Sequence, residues 1–194
     1  MNDQVLWYAT RGAGMMSLIL LSTVVVLGIL SHARFGTRSW PRFVTPALHR
    51  NLSLLAVVIV TIHVVTAITD PFTHLGVVAA VVPFGSYYRT FWLGLGTLSG
   101  ELALAVIATS LVRPWLGRFT WKAIHFSSYP LWIMAVAHSL GTGSDASAMW
   151  MEAIAVLCVA GVTGATAWRV LIFAGDPVGL GRGQARRNFG GTAQ

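Results

Sequence analysis

Cysteine is nearly absent. Cys158 is the only one in 194 residues, which excludes an internal disulfide and any all-cysteine iron–sulfur or zinc site. Charge is scarce as well: Asp, Glu, Lys and Arg make up 10% of the chain, where a soluble domain carries about 25%. Dense Lys/Arg runs are missing, so the net charge of +7 does not form a phosphate-binding face, and no nucleic-acid partner is expected. The opening residues MNDQVLWYAT lack the basic n-region and small-residue cleavage site of a removable signal peptide. No solenoid-type repeat runs through the sequence.

What is present is apolar. Hydrophobic residues account for 55% of the chain, and 20 glycines come on top of that. A chain of this length cannot hide so much apolar surface in a core of its own. A soluble enzyme, a disordered tail and a nucleic-acid-binding domain are therefore set aside. An integral membrane protein is expected, with lipid as a constant partner.

Crossing the hydrocarbon core takes about 20 apolar residues. Five segments qualify: roughly 13–31, 47–69, 91–112, 122–140 and 148–173. The apolar stretch 75–84 is too short to span and ends near Pro83, so it is expected at the interface or re-entrant. The expected fold is an all-α, five-span transmembrane bundle, with a membrane domain over 1–174. The Gly-rich segment 175–194 is expected to be a flexible cytoplasmic tail.

Orientation follows from the basic residues. Arg34, Arg38, Arg42, Arg50, Arg113, Arg118, Lys122, Arg169, Arg182, Arg186 and Arg187 fall on one side, leaving only Arg11 and Arg89 for the other. By the positive-inside rule the N-terminus is outside and the C-terminus cytoplasmic, in a multi-pass protein of the cell membrane. Trp40, Trp115 and Trp121 fall at the inner interface and Trp7, Trp92 and Trp150 at the outer, as aromatic belts do.

Four of the six histidines lie in two spans. His49 and His63 are fourteen residues apart in the second, and His125 and His138 thirteen apart in the fourth. Both spans run from inside to outside. His49 and His125 therefore share a level near the cytoplasm, and His63 and His138 a level about 20 Å further out. Imidazoles at two matched depths on two parallel helices are what a stacked pair of bis-histidine b-type haems requires. The other reading is that they are polar residues hydrogen-bonded between helices. Fourteen residues leave two side chains about 40° apart on an ideal helix, whereas thirteen leave them about 140° apart. The fourth span must then kink or rewind, and Pro130 lies where it can do so.

The histidine quartet with this spacing resembles the ferric reductase-like transmembrane domain. That superfamily includes NADPH oxidases, ferric reductases and the haem-binding membrane subunit of the bacterial methionine sulfoxide reductase system. The segment FGSYYRTFWLGLGTLSGELALAVIATSLVRPWLGRFTWKAIHFSSYPLWIMAVAHSLGTGSD is similar to bacterial members, and the resemblance covers roughly 14–173. It implies two haems, the axial pairs His49/His125 and His63/His138, and electron transfer across the membrane. The sequence departs from the larger oxidases in showing no flavin- or nicotinamide-binding domain after the fifth span. A flavoprotein or iron–sulfur redox partner is then expected, with this chain an electron-transferring oxidoreductase subunit. Two other readings stand beside it: a haem-free membrane anchor, and a quinol-oxidising cytochrome b.

Several further residues have a chemical reading and a plainer one. Arg50, with Arg42, Arg113, Arg118 and Lys122, can pair with inner haem propionates or simply set topology. Arg89 can hold an outer propionate or an anionic substrate. Glu101, inside the third span, suits a proton relay, haem tuning or a structural bond to Ser or Thr. His74 can sit over the outer haem, and His32 is interfacial.

Overall fold

The computed structural model describes residues 3–33, 37, 39–71, 75–143 and 148–174. Every regular element among them is helical: α1 (Asp3–His32), α2 (Val44–Thr69), α3 (Val77–Val81), α4 (Thr90–Leu111), α5 (Arg118–Phe126), α6 (Ser128–Thr142) and α7 (Met149–Ala174). A single 3-10 turn, Arg113–Trp115, joins α4 to α5. The expected tail, His74, Arg34 and Arg38 lie outside the described residues.

Four helices are long and apolar enough to cross a membrane: α1, α2, α4 and α7, with mean hydropathy between 1.6 and 2.4 over their best stretch. They turn apolar side chains outward. Leu54, Leu55 and Val58 on α2 and Val156, Leu157, Val170 and Leu171 on α7 are all exposed, which is costly in water and suits lipid. Hydroxyls along the helices are satisfied locally, for example Thr23 to the Ile19 carbonyl at 2.8 Å and Thr61 to Val57 at 2.8 Å.

Two boundaries differ from expectation. α1 starts at Asp3, ten residues before the expected start at 13. The preceding stretch has no proline, and Arg11 lies over the Trp7 ring at 4.1 Å, an i, i+4 pair that supports the extra turns. The expected fourth span is not one helix. It breaks at Ser127 into α5 and α6, neither of which reaches spanning length alone. Pro130 has no N–H to offer the Phe126 carbonyl, and its ring crowds that carbonyl. The Ser127 hydroxyl closes the break by donating to the Ile124 carbonyl at 2.6 Å. Of the apolar stretch 75–84, only the five residues of α3 are helical. α3 is pinned to α4 where the Thr97 hydroxyl donates to the Ala79 carbonyl at 2.8 Å.

α1 is the central helix and packs on α2, α6 and α7, while α4 packs on α6 and on α3. α2 packs chiefly on α1, with a smaller contact to α3. One cluster of buried apolar side chains is formed by Leu131, Trp132 and Val162, with Leu21, Val25, Val26, Leu102, Ala103 and Val136 around them. The Trp132 indole N–H donates to the Ser22 hydroxyl at 2.9 Å, which in turn donates to the Leu18 carbonyl at 2.7 Å. The Ser99 hydroxyl donates to the Leu131 carbonyl at 3.1 Å, tying α4 to α6 just after Pro130.

Candidate functional site

The four spaced histidines come together in two pairs. The ring centroids of His49 and His125 are 6.3 Å apart with planes at 69°. Those of His63 and His138 are also 6.3 Å apart, with planes at 76°. The break at Ser127 makes both meetings possible, because a straight helix leaves His125 and His138 on different faces. Each pair joins one histidine of α2 to one of α5 or α6.

The separation carries chemical information. Neither pair is joined by a hydrogen bond. An imidazole–imidazole hydrogen bond brings centroids to about 5 Å, since the nitrogens lie about 2.9 Å apart and each about 1.1 Å from its centroid. A metal between two imidazole nitrogens, at about 2 Å from each, puts the centroids about 6.2 Å apart. The observed 6.3 Å, found twice, fits the second arrangement. Among the described residues no cluster of three or more His, Cys, Asp or Glu forms. Among those residues each pair would offer two protein ligands to a metal ion.

Three of the four rings are oriented by the same local device. The Nδ1 of His63 meets the Thr10 carbonyl at 2.9 Å, that of His49 meets the Val24 carbonyl at 3.0 Å, and that of His138 meets the Trp92 carbonyl at 2.9 Å. A carbonyl accepts only from a protonated Nδ1, which leaves Nε2 as the free, metal-ready nitrogen. Four residues after each carbonyl stands a glycine: Gly14, Gly28 and Gly96. Side chains on a helix lean toward its N-terminus, so the Cβ of residue i+4 lies over the carbonyl of residue i. Without that Cβ, the imidazole can reach a carbonyl already used by the helix. A Cβ on Gly14 would stand 2.9 Å from His63 Cε1, one on Gly28 3.3 Å from His49 Cε1, and one on Gly96 would overlap the His138 ring. These seats were missed in the sequence, although Gly14 and Gly28 repeat the fourteen-residue spacing of His49 and His63.

His125 is different. Its Nδ1 is buried with no hydrogen-bond partner. Its ring is stacked on Trp121, centroids 4.9 Å apart and planes at 24°, and the Arg113 guanidinium lies over the other part of this stack, 4.1 Å from the Trp121 ring.

The remaining candidates are scattered. Arg89 takes a left-handed backbone (φ 40°) just before α4, donates to the Gly141 carbonyl and lies over Tyr88. It supports the C-terminal end of α6 three residues beyond His138, a favourable place for a cation at a helix C-terminus. Arg50 is exposed beside His49, and His32 is exposed at the end of α1. Glu101 is exposed on α4 and makes no bond to Ser or Thr, contrary to that structural expectation. Cys158 is a half-buried free thiol.

No known protein family, curated protein or solved structure matches the chain.

Proposed function

We propose that the chain is a two-haem b-type cytochrome of the cell membrane, carrying electrons across it as a subunit of a larger redox system. The observation that carries this reading is the identical 6.3 Å centroid separation of the two histidine pairs. In this reading α5 and α6 together make the fourth of five spans, with the N-terminus outside and the positively charged face in the cytoplasm. The resemblance to the ferric reductase-like transmembrane domain is part of the same proposal.

His49 and His125 would hold the inner haem, and His63 and His138 the outer. Bound there, haem iron supplies one-electron oxidation and reduction. The rest is the protein's task. The carbonyls of Thr10, Val24 and Trp92 hold three rings in one tautomer and one orientation. Gly14, Gly28 and Gly96 let the rings lie close to their helices. Leu131, Trp132 and Val162 keep the middle of the bundle dry between the two levels. Arg89 at the outer level and Arg50 at the inner are the cations offered to propionates.

A nicotinamide delivers two electrons as hydride, and a b-type haem accepts one. The donor is therefore a flavoprotein or iron–sulfur carrier. The test is a reduced-minus-oxidised spectrum and a haemochrome assay of the purified chain. Two b-type haems per chain are expected, with no rapid reduction by NADPH alone. Absence of haem would leave the haem-free anchor, and reduction by a quinol analogue alone would favour a quinol-oxidising cytochrome b.

A further inference from the structure

We propose that the corner between α4 and α5 binds the phosphodiester headgroup of an anionic phospholipid. A pocket of about 80 Å³ is lined there by Arg113, Leu116, Arg118, Trp121 and Lys122. Three of these five residues are cations and none is acidic. Cofactor pockets run to roughly 300–1,000 Å³, so this one takes a phosphate or carboxylate group and not a nucleotide or flavin. Trp121, whose indole N–H is buried with no acceptor, is one of the residues that line the pocket.

The surroundings select lipid over protein as the source of that anion. Leu111, Trp115, Phe119 and Phe126 are exposed around the same corner, Trp115 at 86% and Phe119 at 85%. Large exposed aromatics alternating with cations, at the end of an apolar helix, match the membrane interface, where rings sit at headgroup level and basic side chains meet anionic lipid. An acidic protein partner accounts for the cations but leaves these aromatics in water. The inference does not depend on haem, because pocket, charges and aromatics all belong to the chain alone. Its consequence reaches the inner histidine level through the Arg113–Trp121–His125 stack.

Native mass spectrometry tests this on the purified chain in nanodiscs of mixed phosphatidylcholine and phosphatidylglycerol. Wild type should retain phosphatidylglycerol selectively. Each cation near a membrane surface contributes roughly a fivefold factor, so Arg113→Gln/Arg118→Gln/Lys122→Gln should weaken retention by about a hundredfold. The same charge change made at Arg182, Arg186 and Arg187 should leave retention close to wild type. Arg113→Gln alone is the milder variant should the triple fail to fold, with roughly a fivefold loss expected. Equal retention by wild type and the Arg113/Arg118/Lys122 triple would overturn the proposal. So would equal loss in the two triples, which would mean only general charge attraction. Displacement of phosphatidylglycerol by millimolar inorganic phosphate would assign the pocket to a soluble anion and overturn the lipid source. Binding of an acidic flavoprotein that is lost in the pocket triple and competes with phosphatidylglycerol would assign it to a protein instead.

Discussion

The outer and inner histidine pairs have the same centroid separation but are held differently. At the outer level both rings donate Nδ1–H to a backbone carbonyl, and both lie on a glycine. At the inner level only His49 is held in this way. Thirteen and fourteen residues beyond Gly96 on α4 stand Thr109 and Ser110, whose hydroxyls are bonded back to their own helix. His125 instead rests against Trp121 in a cation-rich corner. A ring held by backbone hydrogen bonds and a glycine seat cannot turn without losing both. A ring held by an aromatic stack keeps its place while its buried Nδ1 has no partner. The His63/His138 pair is thus fixed by backbone contacts on both rings, and the His49/His125 pair on one.

Removing a ligand breaks the comparison most severely. His63→Ala or His138→Ala should each abolish the outer haem and leave the inner, while His49→Ala or His125→Ala should do the reverse, read as one haem per chain in a haemochrome assay. If all four variants retained two haems, the pairing would be wrong.

The glycine seats come next. An overpacked contact costs about 1–3 kcal/mol, and losing the orienting partner of a ligand histidine typically costs 10–100-fold in affinity for the bound metal. The clearances rank the expected damage. Gly96→Ala should displace His138 most, Gly14→Ala should follow at 2.9 Å, and Gly28→Ala at 3.3 Å should be mildest. The readout is the low-spin to high-spin ratio of the affected haem. A Gly96→Ala protein with an unchanged spectrum would remove the seat from the argument.

The two levels should also differ in midpoint potential. A hydrogen bond from Nδ1 to a carbonyl makes imidazole a stronger donor and favours ferric iron. The outer level has two such bonds. The inner has one, with Arg113 close by favouring the reduced, less positive state. The inner haem should therefore titrate at the higher potential, and Arg113→Gln should lower it. Single-haem variants made at His125 and His138 assign the two potentials, and the reverse order would refute this account.

The smallest effect should come from the core between the levels. Trp132→Phe removes the bond to Ser22 at a cost of about 1 kcal/mol. Thermal unfolding should shift down by a few degrees with both haems kept. Selective loss of one haem would show that Trp132 serves that level and not the bundle.

Much of this was legible from one-dimensional pattern. Apolar length alone marks α1, α2, α4 and α7 as candidate spans, because hydropathy over about 20 residues needs no tertiary information. The fourteen- and thirteen-residue spacings placed four histidines at two levels, and helix arithmetic required a break in the second set, which Pro130 produces at Ser127. The start of α1 was less legible, since the contact between Arg11 and Trp7 outweighs a weakly apolar stretch. The role of Glu101 was left open among a proton relay, haem tuning and a bond to Ser or Thr, because its exposure is a property of the assembled bundle.

Composition and spacing by themselves determined the four long apolar helices and which histidines share a level. These follow from rise per residue and the width of the hydrocarbon layer, and both are fixed along a single helix. Only the tertiary structure decided how those histidines are held. Whether a carbonyl on α1 or α4 faces an imidazole depends on the rotation of one helix against another, and whether that imidazole can approach depends on a missing Cβ on the neighbour. The sequence of α2 or α6 contains neither fact. Gly14, Gly28 and Gly96 acquire their meaning only when Thr10, Val24 and Trp92 are seen across the helix interfaces, and His125 is the exception only because nothing on α4 supplies the same seat.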